Sequence, residues 1–214
     1  QRFLCKHRGS TRQKYPKGNN LHPMDDNEPV LKPSDILAYR RAHEQLTDFP
    51  VPQAVIFCPQ KSLAGYALRR YSARRIKGFL GDFHLLKRTG GQIAISTNFG
   101  IGAPVIAGLT DEFAALGVKQ FALIGLAGGL QPDLHTGSLV ISASAIRGEG
   151  VSRHYLPAHP TVNSSEDFVR GFSELLTKQK HAHFVGNTWT TDAPFRELRK
   201  DVIGHQRNGV LAVD

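Results

Sequence analysis

Three short segments combine residue types able to handle a small polar ligand. Asn98-Phe99-Gly100-Ile101-Gly102-Ala103-Pro104 places two glycines just before a proline-opened apolar stretch. Glycine lets the backbone approach a ligand and adopt positive φ, and the free N–H groups of a helix start favour an anion or polar group. The same pattern also serves plain tight packing. Ile124-Gly125-Leu126-Ala127-Gly128-Gly129-Leu130 follows an apolar run, and ligands in open α/β sheets sit at the carboxyl ends of strands. A strand-to-turn crossing where only small residues fit reads identically. Thr188-Trp189-Thr190-Thr191-Asp192-Ala193-Pro194-Phe195-Arg196-Glu197 crowds hydroxyls, a carboxylate, aromatics and a guanidinium together. Such a mixture can stack a planar base and hydrogen-bond its edge, while a Thr or Asp cap on a helix from Pro194 is the plainer reading.

The elements that must position these segments alternate in type. Residues 54–58 read as a buried strand and residues 63–71 as a helix with a basic face at Arg69 and Arg70. Strands follow over 82–86 and 92–97, joined by a turn at Thr89-Gly90-Gly91. Pro104 opens a helix whose Val105, Ile106, Leu109, Phe113 and Leu116 share one face, and Gly117 stops it. Residues 121–124 read as a buried strand and 138–146 as another. An amphipathic helix is expected over 166–178 and a short strand over 183–185. Upstream, Ser34 or Asp35 would cap a helix over 36–46. Strands alternating with helices argue an α/β fold on a parallel or mixed sheet.

Composition bounds the answer. With 214 residues, 40% hydrophobic and 21% charged, the chain can bury one sizeable core, which excludes wholesale disorder and collagen-like repetition. No run nears the roughly 18 apolar residues of a membrane span. Two cysteines, Cys5 and Cys58, make no disulfide framework and point to a reducing compartment. The histidines lack metal-ligand spacing, so no metal site is expected. The net charge is +9, but residues 1–23 contribute six cations and no acid, leaving +3 for the rest. The basicity therefore reads as a terminal arm rather than a patch on the fold. That arm reads as a non-native or disordered extension; contact with RNA, DNA or an anionic surface, or a targeting role, are the other readings. Residues 1–33 are assigned to this basic, then acidic and Pro-rich, extension and 34–214 to the folded domain. No nucleic-acid partner is expected.

Taken in order, Asn-Phe-Gly-Ile-Gly-Ala-Pro (98–104), Ile-Gly-Leu-Ala-Gly-Gly-Leu-Gln-Pro (124–132), Gly-Ser-Leu-Val-Ile-Ser-Ala-Ser-Ala-Ile-Arg (137–147), Thr-Thr-Asp-Ala-Pro-Phe-Arg-Glu (190–197) and Gly-Val-Leu-Ala-Val-Asp (209–214) resemble the nucleoside phosphorylases. This family comprises the purine-nucleoside and uridine phosphorylases with related nucleosidases, and the resemblance covers residues 51–214. It implies a three-layer α/β/α sandwich around a twisted mixed sheet, a cytoplasmic homo-oligomer, and cleavage of a nucleoside N-glycosidic bond by phosphate. Inorganic phosphate is then a co-substrate and no further cofactor is implied. By the same resemblance Gly100, Ile101 and Gly102 lie beneath ribose and phosphate. Gly125, Ala127 and Gly128 wall the sugar and base. Thr191, Asp192, Phe195 and Arg196 lie near the base, with Phe195 the stacking candidate and Trp189 a core candidate. Asp214 matches the first carboxylate of the stretch that holds the ribose. The family's base-protonating acid is expected beyond Asp214, as in a C-terminally truncated member.

The sequence also departs from the family. Leu123 and Leu126 stand where the phosphorylases carry a phosphate-gripping Arg and a Ser or Thr. The first-strand loop reads Pro59-Gln60-Lys61-Ser62-Leu63-Ala64 in place of Gly-Asp-Pro followed by Arg. Losing an Arg removes a bidentate, charge-assisted anion contact. Lys61 and Lys77 are the candidate substitutes, each with the plainer reading of a solvated surface lysine. Arg147, Glu149, Ser152, His154 and Tyr155 read as a structural network skirting the pocket. The expected activity is phosphorolysis of a purine or uracil nucleoside. The alternatives are a water-using nucleosidase of the same fold and a non-catalytic nucleoside-binding relative.

Overall fold

The computed structural model describes residues 29–214. Expectations for the basic arm, Cys5 and the acidic stretch after Met24 concern residues outside that range. The compact unit runs from Pro33 to Asp214. Its elements are α1 (Pro33–Ala42), β1 (Ala54–Phe57), α2 (Lys61–Arg70), β2 (Ala73–Ile76), β3 (Asp82–Leu86), β4 (Ile93–Thr97), α3 (Ala103–Leu116), β5 (Gln120–Leu123), β6 (Gly128–Gly129), β7 (Leu139–Gly148), β8 (Thr161–Asn163), α4 (Glu166–Lys178), β9 (His183–Thr191), α5 (Arg199–Arg207) and β10 (Ala212–Val213). Single 3-10 turns cover Lys87–Thr89, Ser152–His154 and Pro194–Arg196.

The strands form two five-stranded mixed sheets, ordered β2-β3-β4-β1-β5 and β6-β10-β9-β7-β8. In the first, β1 lies parallel to both β4 and β5. Alternation along β1 builds three layers. Val55 and Phe57 join Leu109 and Phe113 of α3 and Leu37 of α1 on one face. Ile56 packs with Cys58 against Ala64 of α2 and Ile95 of β4 on the other. Successive strand side chains point to opposite faces, so one apolar run serves both helical layers. In the second sheet, β9 is parallel to β7 and β10. There Trp189 and Val213 pack with Leu130, Val210 and Val202 of α5.

Several elements differ from their sequence reading. The first helix starts at Pro33 rather than 36 and stops at Ala42, because Glu44 takes a left-handed φ of 57°. Proline's preset φ and absent N–H suit a first helical turn. The strand expected to be buried near 121–124 is instead an edge strand. Paired only to β1, β5 leaves Leu123 51% and Ile124 41% exposed. β2, unread in the sequence, is an edge strand whose two arginines mask any alternation. β9 runs six residues past the apolar 183–185, through Asn187 and four threonine or tryptophan positions. Its polar side chains are paired within the sheet: Ser144 Oγ donates to Asn187 Oδ1 at 2.6 Å, and Ser142 and Thr188 hydroxyls meet at 2.8 Å.

Phe113 anchors the larger core. It is fully buried, stacked on Phe83 at 4.7 Å and flanked by Phe79 at 5.0 Å. Phe113→Ala is expected to lower unfolding free energy by about 3–5 kcal/mol, read as a shifted urea midpoint at unchanged slope.

Candidate active site

Parallel strands deliver their carboxyl ends to one edge, and the loops that follow β1, β4, β5 and β9 converge there. They enclose a cavity of about 1250 Å³. Lys61, at the start of α2, lines it from the β1 side. From β4 come Gly100, Ile101 and Gly102; from β5, Leu123, Gly125 and Leu126; from β9, Thr190, Thr191 and Asp192. Asp214 completes the rim after β10.

The β4 loop needs its glycines, because Gly100 and Gly102 adopt φ of 96° and 110°, where a Cβ is strained. Asn98, also left-handed at φ 55°, is held by donating Nδ2 to Asp82 Oδ2 at 2.6 Å, and Asp82 in turn pairs with Arg75. Ile101 is left 95% exposed. Beyond the loop, Ala103, Ala107, Thr110 and Asp111 of α3 face the cavity. They recur at i, i+4, i+7 and i+8, a small-residue stripe beside the apolar one. That stripe is the signal by which Asp111, absent from the sequence-derived site, was accessible.

Thr191 and Gly148 are register partners at the ends of the parallel β9 and β7. The residues that follow them are therefore neighbours, and Asp192 Oδ2 accepts from Gly150 N at 2.8 Å. Asp214 is positioned by backbone pairing to Trp189 and Thr191, and its Oδ1 accepts from Thr190 Oγ1 at 2.9 Å. The segment after β7 walls the cavity with Glu149, Ser152 and Tyr155. Glu149 is buried and accepts from Val151 N at 2.7 Å, Ser152 N at 2.9 Å and the Ser152 hydroxyl. Arg147 donates Nε to Ser152 Oγ at 2.7 Å and Nη1 to the Pro157 and His159 carbonyls. Burial pushes the Glu149 carboxyl up, but Ser152, the two N–H groups and Arg147 outweigh it and hold its pKa low. This carboxylate organises its own turn. Tyr155 donates its hydroxyl to Asp111 Oδ2 at 2.7 Å, tying that turn to α3; the bond to Asp111 and burial push the phenol up.

Other expected residues lie elsewhere. Gly128 belongs to β6, paired to Val213, and a Cβ there would meet Val213 Cγ1 at 3.3 Å; its small size serves strand packing. Ala127, Phe195, Arg196 and Lys77 do not line the cavity. The 3-10 turn after Asp192 carries Phe195 into solvent, 98% exposed. Lys77 is exposed just past β2. Trp189 is buried core against His205 at 4.5 Å. Cys58 is buried too, and burial pushes its thiol up, away from the reactive thiolate.

Among the described residues the lining holds four carboxylates, Asp111, Glu149, Asp192 and Asp214, against one ammonium, Lys61. Asp111, Asp192 and Asp214 accept from the neutral donors Tyr155, Gly150 and Thr190, whereas Glu149 has the Arg147 cation nearby. Among the described residues, no three or more His, Cys, Asp or Glu side chains gather as a metal site would need. No described helix is long and apolar enough to cross a membrane.

A three-layer α/β/α unit with a cavity at its strand ends defines the class of this chain, and sequence comparison agrees. The chain belongs to the phosphorylase superfamily, whose profile matches residues 69–214. It is 36% identical over 122 residues to uridine phosphorylase of Haemophilus influenzae, covering 56% of this chain and 46% of that protein. It is 30% identical over 119 residues to guanosine phosphorylase of Halorubrum lacusprofundi, covering 54% and 48%. The chain thus spans just under half the length of these curated relatives. Its fold matches the crystal structure of uridine phosphorylase from Vibrio fischeri with a TM-score of 0.69 at 22% identity, over 77% of this chain and 70% of that one.

Glu149 supplies a pH test. Its folded-state pKa is depressed, so its stabilisation is present above the unfolded value and lost as pH falls through the lower folded value. Glu149→Gln is expected to cost about 1–3 kcal/mol at neutral pH. The gap to wild type should narrow below about pH 4.3 in parallel urea titrations.

Proposed function

We propose that this protein cleaves the N-glycosidic bond of a purine or uracil nucleoside by phosphorolysis. It acts in nucleoside salvage as a cytoplasmic homo-oligomer, with inorganic phosphate as co-substrate and no further cofactor. The observation that carries this reading is the meeting of the loops after β1, β4, β5 and β9, with Asp214, around one cavity. Glycosidic cleavage passes through a cation-like sugar, which neighbouring carboxylates stabilise. Asp214, aligned by Thr190, is suited to hold the ribose hydroxyls. The exposed Ile101 and the Gly125–Leu126 wall offer apolar surface to sugar and base. Asp192 and Thr191 offer polar atoms to the base edge from the end of β9. Among the described residues that line the cavity, Lys61 is the one Lys or Arg that phosphate would meet.

One observation favours a second reading, hydrolysis by water. Leu123 and Leu126 line the cavity where an anion would need donors, and the net charge of the lining is negative. Release of base from nucleoside, followed chromatographically with and without phosphate, separates the two. Phosphate-dependent release with formation of a pentose 1-phosphate supports phosphorolysis; equal rates in phosphate-free buffer assign hydrolysis. Asp214→Asn should reduce kcat/KM by about 100-fold, roughly 2.7 kcal/mol of transition-state stabilisation. Lys61→Ala should raise the KM for phosphate about tenfold with a much smaller change in kcat.

A further inference from the structure

Residues 49–110 hold eight Lys and Arg and a single acid, Asp82, a concentration that the modest charge of the folded region conceals. The fold gathers most of them. Arg69 and Arg70 end α2, and Arg74 lies in β2. Lys87 and Arg88, in the turn after β3, donate their backbone N–H groups to Ser72 O at 2.9 Å and Tyr71 O at 3.1 Å. Five cations thus surround the Tyr71-Ser72 corner, and all five side chains are exposed. None pairs with a carboxylate among the described residues; Arg75, the neighbour that does, takes Asp82. The expectation that basicity belongs to the terminal arm and not to the fold is corrected here.

Position separates this surface from the cavity. The turn carrying Lys87 and Arg88 precedes β4, whereas the cavity loop follows it. Five strand residues at about 3.3 Å each lie between them.

We infer that this surface binds single-stranded nucleic acid, a function separate from the cavity and independent of the reading given above. Repelling edge-to-edge pairing would explain a charge on β2 itself, but not the four on α2 and the turn. A second copy of the chain would bring like charges together. Four of the five cations are arginines, whose planar fork matches phosphate, and a polymer of phosphates can engage several at once. Beside them Tyr71 is 41% exposed with Arg70 over its ring at 5.7 Å, and Tyr66, one turn before, is 60% exposed. Aromatic rings among arginines are the arrangement on which unpaired bases stack. An anionic bilayer would call for aliphatic side chains to insert, and the residues between these cations are Tyr71, Ser72 and Ala73.

The test compares the whole chain with its Arg69→Gln, Arg70→Gln, Arg74→Gln, Lys87→Gln, Arg88→Gln variant, the arm being present in both. Fluorescence anisotropy with a labelled single-stranded RNA of about 20 nucleotides is read across about 50–200 mM salt. The wild type should bind with affinity falling steeply in salt. The variant should bind at least tenfold more weakly at the lowest salt, its log–log slope flatter by about 0.7 for each cation that met a phosphate. Tyr71→Ala should weaken binding while leaving the slope unchanged. An unchanged thermal midpoint of the variant keeps the comparison valid, and if it shifts, Arg70→Gln with Arg88→Gln alone should give a proportionate loss. Equal affinity and slope for wild type and variant overturn the proposal. So does binding that depends on these cations for phosphatidylserine vesicles but not for RNA.

Discussion

Parallel strand pairing is the constraint from which the rest of this structure follows. Parallel neighbours end at the same edge, so whatever follows each strand is brought together however far apart it lies in sequence. β1, β4 and β5 deliver Lys61, the Gly100–Gly102 corner and the Gly125–Leu126 wall in this way. β7, β9 and β10 deliver Glu149, Asp192 and Asp214. A connection long enough to return a chain to the start of a parallel strand must also be placed somewhere, and α2 and α3 occupy those returns on opposite faces of the first sheet.

Given that scaffold, the chemistry of the cavity is set by which groups are already engaged. Each carboxylate at its wall accepts a hydrogen bond from a neutral donor: Asp111 from Tyr155, Asp192 from Gly150, Asp214 from Thr190. Such bonds orient a carboxylate without neutralising it, leaving negative charge available to a sugar that becomes cation-like. Glu149 differs, since three donors converge on it and its work is to shape the turn that carries Tyr155. Apolar Leu123 and Leu126 give the same cavity an anion-poor side.

Much of this was legible without coordinates. The helix at Glu166–Lys178 matches its amphipathic period residue for residue, because Ser165 caps it by accepting from Phe168 N and the apolar spacing is regular. Pro104 and Gly117 bracket α3 for similarly local reasons. The polar half of β9 leaves no apolar alternation in the sequence, because its side chains are satisfied across the sheet. Phe195 and Arg196 share a motif with Asp192, yet one 3-10 turn separates their surroundings. For Asp111 the small-residue stripe of α3 is the local signal, since Tyr155, which donates to it, is 44 residues away.

Local chemistry, then, belongs to the sequence: where helices start and stop, which corners require glycine, and which order of motifs marks the superfamily. Those features depend on interactions within a few residues, so composition and spacing carry them. Only the folded chain decides which charges become neighbours. Five cations from α2, β2 and the turn after β3 meet through two backbone hydrogen bonds, and four carboxylates from α3, β7, β9 and β10 meet around one cavity. Electrostatic interaction depends on distance in space, and strand pairing, rather than chain order, sets that distance.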